Sequence, residues 1–468
     1  MHFPLLTPAD LPQLLHFHPI DLNGVAPKHL GGHPIDAGVA LVFTPPHDHA
    51  RPLLTIGPTH HLTHDAIATL AKSDYHLRAA LAAHPALSAT ARGASIILIL
   101  LRQSTLAGLA TPLSSVRDLW SHYIQFLPSE IPVPTTWIAP EQALLAGTSL
   151  ESAVAAKLRA LNSEFETWSA GATELKWWDI DQLTLEDWVH ADSLFRSRSL
   201  DLPGAGAAMI PVLDFANHAG GAAATARFAI DAGGVVELEL VGAWEEGQEA
   251  TIDYAGGDKS AAEMAFSYGF IPAEQATAGS LTLDLNPSDD DPLGRAKTVV
   301  WRGARTVRVY EGEDGSVLWD SPFAYLCVIN EEDSLEFHIL QDNTGARTLQ
   351  VLFSGEEIDI TNHPERLLDL MRDSELWAIF RLRAVVLLRQ RVEAQLHRLV
   401  SARGAEEEEC IEEGRETSEG YRPQPFLVAT RLRTLEETLL LRAIEALQAQ
   451  VRGRRDLQAS SVDPRIAG

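Results

Sequence analysis

Cysteine is nearly absent: 468 residues hold two, Cys327 and Cys410. Cys410 stands inside a run of glutamates, so a disulfide framework is excluded, and a reducing compartment is expected, cytoplasmic or nuclear. Basic residues are scarce as well. Lys and Arg total 37 against 64 Asp and Glu, a net charge of −27. A general nucleic-acid binder needs a basic footprint to neutralise phosphates, so direct nucleic-acid binding is not expected. The same acidity favours solubility and draws in a basic partner. Long apolar runs are missing. A run such as Ile96–Leu101 is far short of the ~20 residues of a membrane span. No membrane association is expected, and Met1–Asp10 lacks the basic and apolar regions of a signal peptide.

What remains is an ordinary globular composition, 46% apolar and 22% charged, with length for about two to four domains. Residues 20–65 are rich in Gly, Pro and short apolar pieces such as Gly38–Phe43, a texture of strands and turns. Helical periodicity follows over Asp65–Ala83, Ala91–Arg102 and Ser114–Phe126. Pro128, Pro132 and Pro134 interrupt it. A further helix over Leu150–Trp168 has Thr148 or Ser149 as its cap. Residues 204–255 read as strands again: Thr225–Ile230 and Val235–Val241 flank the hairpin turn Asp231–Gly234, and Glu249–Tyr254 forms another strand. Ser260–Tyr268 is a short helix ended by Gly269. Residues 281–355 mix short strands with acidic turns. Two long helices close the chain, about 364–402 and 426–452, separated by the acidic block Glu406–Glu413.

Four segments stand in one order: Arg196-Ser197-Arg198-Ser199, Pro211-Val212-Leu213-Asp214-Phe215-Ala216-Asn217-His218, Glu249–Tyr254, and Lys259-Ser260-Ala261-Ala262-Glu263 running on to Tyr268-Gly269-Phe270. Taken singly, each has a plain structural reading. Asn217-His218 would be a turn, Tyr268 a core residue, and Arg198 a surface ion-pair member. Together, in this order and spacing, they resemble the second half of a SET domain of the Rubisco large-subunit methyltransferase-like subfamily. Residues 125–168 resemble that family's helical insertion, and 364–452 its C-terminal helices.

The resemblance implies an α+β chain: a β-rich SET domain with a helical insertion, then a mainly helical C-terminal substrate-binding domain. Its divisions would be 1–64 and 191–275 for the SET halves, 65–190 for the insertion, and 276–468 for the C-terminal domain with its acidic loop near 405–419. It implies S-adenosylmethionine-dependent methyl transfer to lysine amines of a protein substrate. By resemblance Tyr268 lines the lysine channel as the main catalytic tyrosine, with Tyr254 near the methyl site. Arg198 would contact the cofactor carboxylate, and Asn217 and His218 would hold the cofactor by backbone and side-chain hydrogen bonds. Gly24 and Val25 would meet it through their backbone. Asp214 and Glu263 would be structural.

The residue types suit that chemistry. Methyl transfer is an in-line displacement in which positioning dominates. The nucleophile must be a neutral amine, whereas free lysine has a pKa of about 10.4. A narrow apolar channel beside a positive sulfonium favours the neutral form. Phenols exclude water with their rings and orient the amine with their tips.

Three departures stand against this pattern. The family's Gly-x-Gly opening is Leu22-Asn23-Gly24-Val25-Ala26 here, where Asn23 would take the positive φ of the missing glycine. It is followed by Ile35–Val39. Ala261 replaces the asparagine of Lys-Ser-Asn, and Ala255 follows Tyr254 in place of glycine. They support an alternative, a SET-like module that binds a protein partner with weak or no turnover. Twelve of the 18 histidines fall in the first 84 residues. His47-Asp48-His49 and His60-His61-x-x-His64 raise the question of a metal, with His60 and His64 one helical turn apart. The local texture is turn-like and the Glu of a His-Glu-x-x-His motif is absent, so no metal is expected. The substrate expected from charge and resemblance is a basic protein, such as a ribosomal protein or histone.

Overall fold

The computed structural model describes residues 1–461 other than 2, 4, 19, 31–38, 49, 112–118, 255–258, 289, 342–344, 346 and 405–420. Ile35–Gly38, Ala255 and the acidic block with Cys410 lie outside these. The fold is mixed α and β. Strands Val25–His29 and Val39–Phe43 pair antiparallel, with Val25 opposite Phe43. A four-stranded antiparallel sheet then joins the two ends of the sequence's first half. Its order is Asp21–Leu22, Leu54–Ile56, Val236–Leu240, Ala226–Ile230. Everything between residues 57 and 198 is therefore an insertion, mostly helical, between strands of one sheet. The hairpin turn at Asp231–Gly234 forms as expected: Asp231 Oδ1 accepts from Gly233 and Val235 N–H at 2.8 Å each, and Gly234 takes φ +78°.

The insertion is built around the helix Ala91–Leu106, capped by Thr90. Its apolar run Ile96–Leu101 is wholly buried, the core use expected of a short apolar run. That core gathers Phe43, Ile56, Trp168, Trp188, Phe215 and Ile252. A second core spans residues 278–447. It lies under two antiparallel three-stranded sheets, ordered Val317–Asp320, Thr306–Glu311, Ser280–Asp284 and Leu335–Gln341, Arg347–Phe353, Glu356–Glu357. The helix Pro423–Ser461 enters the second core through Leu439 and Leu447, and through Leu432 it joins a third cluster with Trp137, Leu150 and Ala265. Among the described residues no helix is long and apolar enough to cross a membrane.

Several expected elements differ. The helix over Asp65–Ala83 is two helices, His64–Ser73 and Tyr75–Ala82. Asp74 takes an extended conformation and caps the second through Leu77 N–H at 2.9 Å, a local bond that competes with helix continuation. Of Ser114–Phe126 the described part is the short helix Leu119–Tyr123 and a 3-10 turn. The helix from Leu150 runs over Ser149–Ala172. The helix expected from 364 to 402 breaks into Glu365–Asp373 and Trp377–Ser401. Leu376 and Ile379 are 41% and 42% exposed, while Phe380, Leu388 and Leu399 are buried. Glu249–Tyr254 is not a strand. It makes single bridges, Val42 to Glu249 and His218 to Ile252. His60 ends a 3-10 turn and His64 begins the next helix, so they do not share a helix face. Among the described residues no three His, Cys, Asp or Glu side chains come together as metal ligands.

Candidate active site

The helix Leu185–Arg198 opens with a capping box between Thr184 and Asp187 and leads directly into the strand Ser199–Leu202. Its last turn carries both arginines of the Arg-Ser-Arg motif. Arg196 turns toward the tyrosine helix. Its guanidinium donates to Phe266 C=O at 2.8 Å and Thr135 Oγ1 at 2.7 Å, and packs 4.4 Å over the Phe266 ring. Behind it Asp192, with no exposed side-chain surface, accepts from Arg92 at 2.5 Å and Lys157 at 2.9 Å. Burial pushes this carboxyl up, but Arg92, Lys157 and Arg196 outweigh burial and hold it below its ordinary range.

Arg198 is paired internally. It donates to Asp214 Oδ2 at 2.7 Å and to Asp214 C=O at 3.1 Å. Burial raises the Asp214 carboxyl against the pull of Arg198. Burial would lower the Arg198 guanidinium, and Asp214 overrides that. The Arg198 Nε is buried without a hydrogen-bond partner. Asp214 reaches this position because Val212, a buried β-branched residue, takes φ +72° before the turn Leu213–Phe215. That conformation costs on the order of 1–3 kcal/mol and marks a site where the fold imposes geometry.

The segment after this turn crosses the segment ending at Tyr254. Ile252 N–H donates to Asn217 C=O at 2.9 Å and Ala219 N–H to Ile252 C=O at 3.1 Å. The Asn217 amide donates to Glu249 Oε2 at 2.8 Å. Tyr254 N–H donates to His218 Nδ1 at 3.2 Å, and Tyr254 Oη donates to Ala216 C=O at 2.9 Å. Nδ1 is therefore the acceptor of a neutral His218. Burial lowers the His218 pKa, with Asp253 and Glu274 opposing. Burial likewise raises the Tyr254 phenol and keeps it protonated.

The helix Ala261–Tyr268 delivers the second tyrosine. Ser260 and Glu263 form its capping box, and Gly269 ends it at φ +80°. The Tyr254 and Tyr268 rings lie 4.7 Å apart. His218 and Phe270 join them, with ring centres 5.2 Å from Tyr254 and 6.2 Å from Tyr268 respectively. Both tyrosines line a narrow pocket of about 20 Å³ with Arg198, Leu200, Leu213 and Ile252. A wider cleft of about 560 Å³ lies on the other side, lined by His218, Asp253, Lys259, Glu274 and, from the C-terminal part, Arg308. Of two other hollows, one of about 370 Å³ lies beside His64, and one of about 1250 Å³ lies beside Trp137 and the first turns of the Leu185–Arg198 helix; neither is lined by either tyrosine.

The structure thus brings together Arg198, Asn217, His218, Tyr254 and Tyr268. It corrects the reading of the opening glycine element. Asn23 does not take the positive φ; Gly24 does, at +71°. The Asn23 amide instead donates to Asp48 C=O at 2.8 Å and its Oδ1 accepts from Asp48 N–H at 3.0 Å. A Cβ on Gly24 would fall 2.6 Å from His47, and Val25 is buried in the core. His47 thus covers the side of Gly24 where a side chain would stand. Glu249, Leu200 and Lys259 carry site geometry that the motif pattern did not assign. Glu249 and Lys259 had a signal, since each opens one of the four ordered segments; Leu200 had none.

No family model matches the chain. It is 30% identical over 280 residues to the SET domain-containing protein 8 of Schizosaccharomyces pombe, covering 59% of this chain and 63% of that protein. It is 29% identical over 222 residues to the chloroplastic ribulose-1,5 bisphosphate carboxylase/oxygenase large subunit N-methyltransferase of Pisum sativum, covering 44% and 42%. Both matches span less than two thirds of the relative's length. Among solved structures, Rubisco LSMT bound to AdoMet matches 98% of this chain and 97% of its own, with TM-score 0.67 at 18% identity. The LSMT SET domain bound to MeLysine and AdoHcy matches 98% and 97%, with TM-score 0.65 at 17% identity. The chain is a homologue of a SET domain-containing protein and has the LSMT fold.

Proposed function

We propose that this site transfers a methyl group from S-adenosylmethionine to the side-chain amine of a protein lysine. The observation that carries the reading is the Tyr254–Tyr268 pair, which walls a narrow pocket and is locked to the Asn217-His218 crossing. The donor types suit the cofactor: His218 lines the open cleft, and Arg198, at the narrow pocket beside it, has a buried, unpartnered Nε donor suited to an anionic group. Asn217 and His218 would hold it, with Arg198 behind them. When bound, the cofactor supplies an electrophilic methyl on a positively charged sulfur.

The chain's own residues do the rest. Leu200, Leu213 and Ile252 line the pocket with apolar surface. This surface excludes bulk water and disfavours an ammonium, so the lysine enters as a neutral amine. Tyr254 is committed to Ala216 C=O, which fixes its ring. The Tyr268 hydroxyl is left to orient the amine lone pair. Tyr268 would hold the nitrogen in line with that methyl, so that the nitrogen–carbon bond could form as the carbon–sulfur bond breaks and the surplus proton on nitrogen leaves to solvent. Catalysis on this account is positioning and desolvation, with Tyr268 as the catalytic residue and Tyr254 beside it. A basic protein substrate suits the net charge of −27.

A second reading, a protein-binding module without turnover, is favoured by His47 packed over Gly24. Calorimetric titration of S-adenosylmethionine separates the two. Saturable one-to-one binding, lost in Asn217→Ala, followed by labelled methyl transfer to lysines of basic proteins, supports the enzyme. No binding at millimolar cofactor selects the module.

A further inference from the structure

Among the described residues, Lys259 is the lysine or arginine that touches the tyrosine pair from the open cleft. Its Nζ donates to Tyr268 Oη at 3.2 Å and to Tyr254 C=O at 3.3 Å, and lies 5.3 Å over the Tyr268 ring. Its own C=O accepts from Gln275 Nε2 at 3.4 Å. The ammonium is thus fixed on the phenol, at the boundary between the narrow pocket and the wider cleft.

Resting on the methyl-transfer reading above, we propose that Lys259 is a positioning residue whose fixed positive charge keeps the incoming lysine amine neutral and whose bond to Tyr268 aims the phenol at it. An amine within hydrogen-bond reach of Tyr268 Oη lies within about 6 Å of this ammonium, where a like charge disfavours protonation. Occupying one lone pair of Tyr268 Oη leaves the hydroxyl one remaining acceptor direction for an amine N–H.

Other charges face the amine from both sides, and the carboxylates of Asp253 and Glu274 oppose Lys259, so its contribution is the difference between variants that leave them in place. On the pocket side, Arg198 and Asp214 form an internal pair. On the cleft side, Asp253 Oδ2 accepts from Gly221 N–H at 3.1 Å and Glu274 Oε1 from Gly220 N–H at 3.0 Å, so each is partly satisfied by backbone. His218 is neutral, as its Nδ1 acceptor role requires. Arg308, Tyr310 and Glu311 face the cleft from the C-terminal strand, and Glu311 is paired with Arg442. Tyr254 is neutral and buried.

The alternative for Lys259 is a strut that closes the segment between Tyr254 and Ser260. A strut would change affinity equally at every pH. The test is calorimetric binding of free L-lysine to the protein saturated with S-adenosylhomocysteine, from about pH 7 to 10, in buffers of different ionisation enthalpy. The readout is the number of protons released on binding. In Lys259→Gln, which keeps a donor and loses the charge, the pH of half-maximal release moves up by about one unit. In Lys259→Arg it stays in place. S-adenosylhomocysteine affinity reports that each variant is folded. An unmoved midpoint in Lys259→Gln overturns the proposal while leaving methyl transfer intact. Failure of the unaltered protein to bind lysine removes the methyl-transfer reading, and this inference with it.

Discussion

At Gly269, next to the site, rigid backbone leaves little room for a side chain. Gly269 ends the helix that delivers Tyr268 at φ +80°. A Cβ there would stand 2.6 Å from Pro132 C=O oxygen and 2.9 Å from its carbon, both rigid backbone. Its own C=O accepts from Gln424 Nε2 at 2.7 Å, so the chain cannot swing away freely. For Gly269→Ala, the left-handed conformation costs about 1–2 kcal/mol, and shifting the Pro132 backbone costs about 1–3 kcal/mol more. The sum is about 2–5 kcal/mol. Gly108 is the internal control: it has φ +77° and nothing within 4 Å of a built Cβ. Gly108→Ala should therefore cost only the first contribution, about 1–2 kcal/mol. Urea unfolding followed by tryptophan fluorescence measures both, with the slope unchanged. A gap of about 1–3 kcal/mol between the variants is expected. Equal losses would refute the claim that the Pro132 backbone, rather than φ alone, demands glycine at this position.

Three further outcomes are expected. Tyr268→Phe should lower methyl transfer by about 100-fold or more while cofactor affinity stays near normal, because positioning by hydrogen bond is lost and the ring is kept; a labelled-methyl assay beside calorimetry checks it, and unchanged turnover would remove Tyr268 from the mechanism. Asp192→Asn leaves Arg92, Lys157 and Arg196 without their shared carboxylate, so a loss of about 3–5 kcal/mol is expected in urea unfolding; a loss under about 1 kcal/mol would contradict the buried-pair reading. Glu436 is buried beneath the helix start at Ser149, which donates to it at 3.0 Å, and burial raises its pKa to about 7. The folded state then holds the proton more tightly than the unfolded chain. Its stabilisation is full below the unfolded value of about 4.5 and is lost as pH rises to 7, a fall of about 3 kcal/mol. Glu436→Gln should flatten stability over that window; an unchanged slope would show that Glu436 is ionised throughout.

Much of the local structure was legible because it is governed by neighbours in the chain. The hairpin at Asp231–Gly234 follows from one aspartate side chain and one left-handed glycine. The helix from Ser260 to Gly269 follows from a capping box and a terminal glycine. The order of the Arg-Ser-Arg, Asn-His and Tyr-Gly-Phe segments pointed to the SET fold. What failed did so where distant residues compete with local preference. Glu249–Tyr254 alternates like a strand, yet it is captured as single bridges, by Val42 at Glu249 and by His218 at Ile252. Asn23 is a plausible left-handed residue by type, but its amide is recruited by Asp48, and the turn passes to Gly24.

The sequence by itself determined composition class, the main helices and hairpin, and which residue types converge on the site. The reason is that period, caps and turn chemistry act over a few residues. Only the tertiary structure decided that Arg198 spends its charge on Asp214, that His47 covers Gly24, and that Lys259 rests on Tyr268. These contacts depend on how segments far apart in the chain pack. Whether a charge is exposed, paired or pressed against a phenol is set by that packing rather than by residue type.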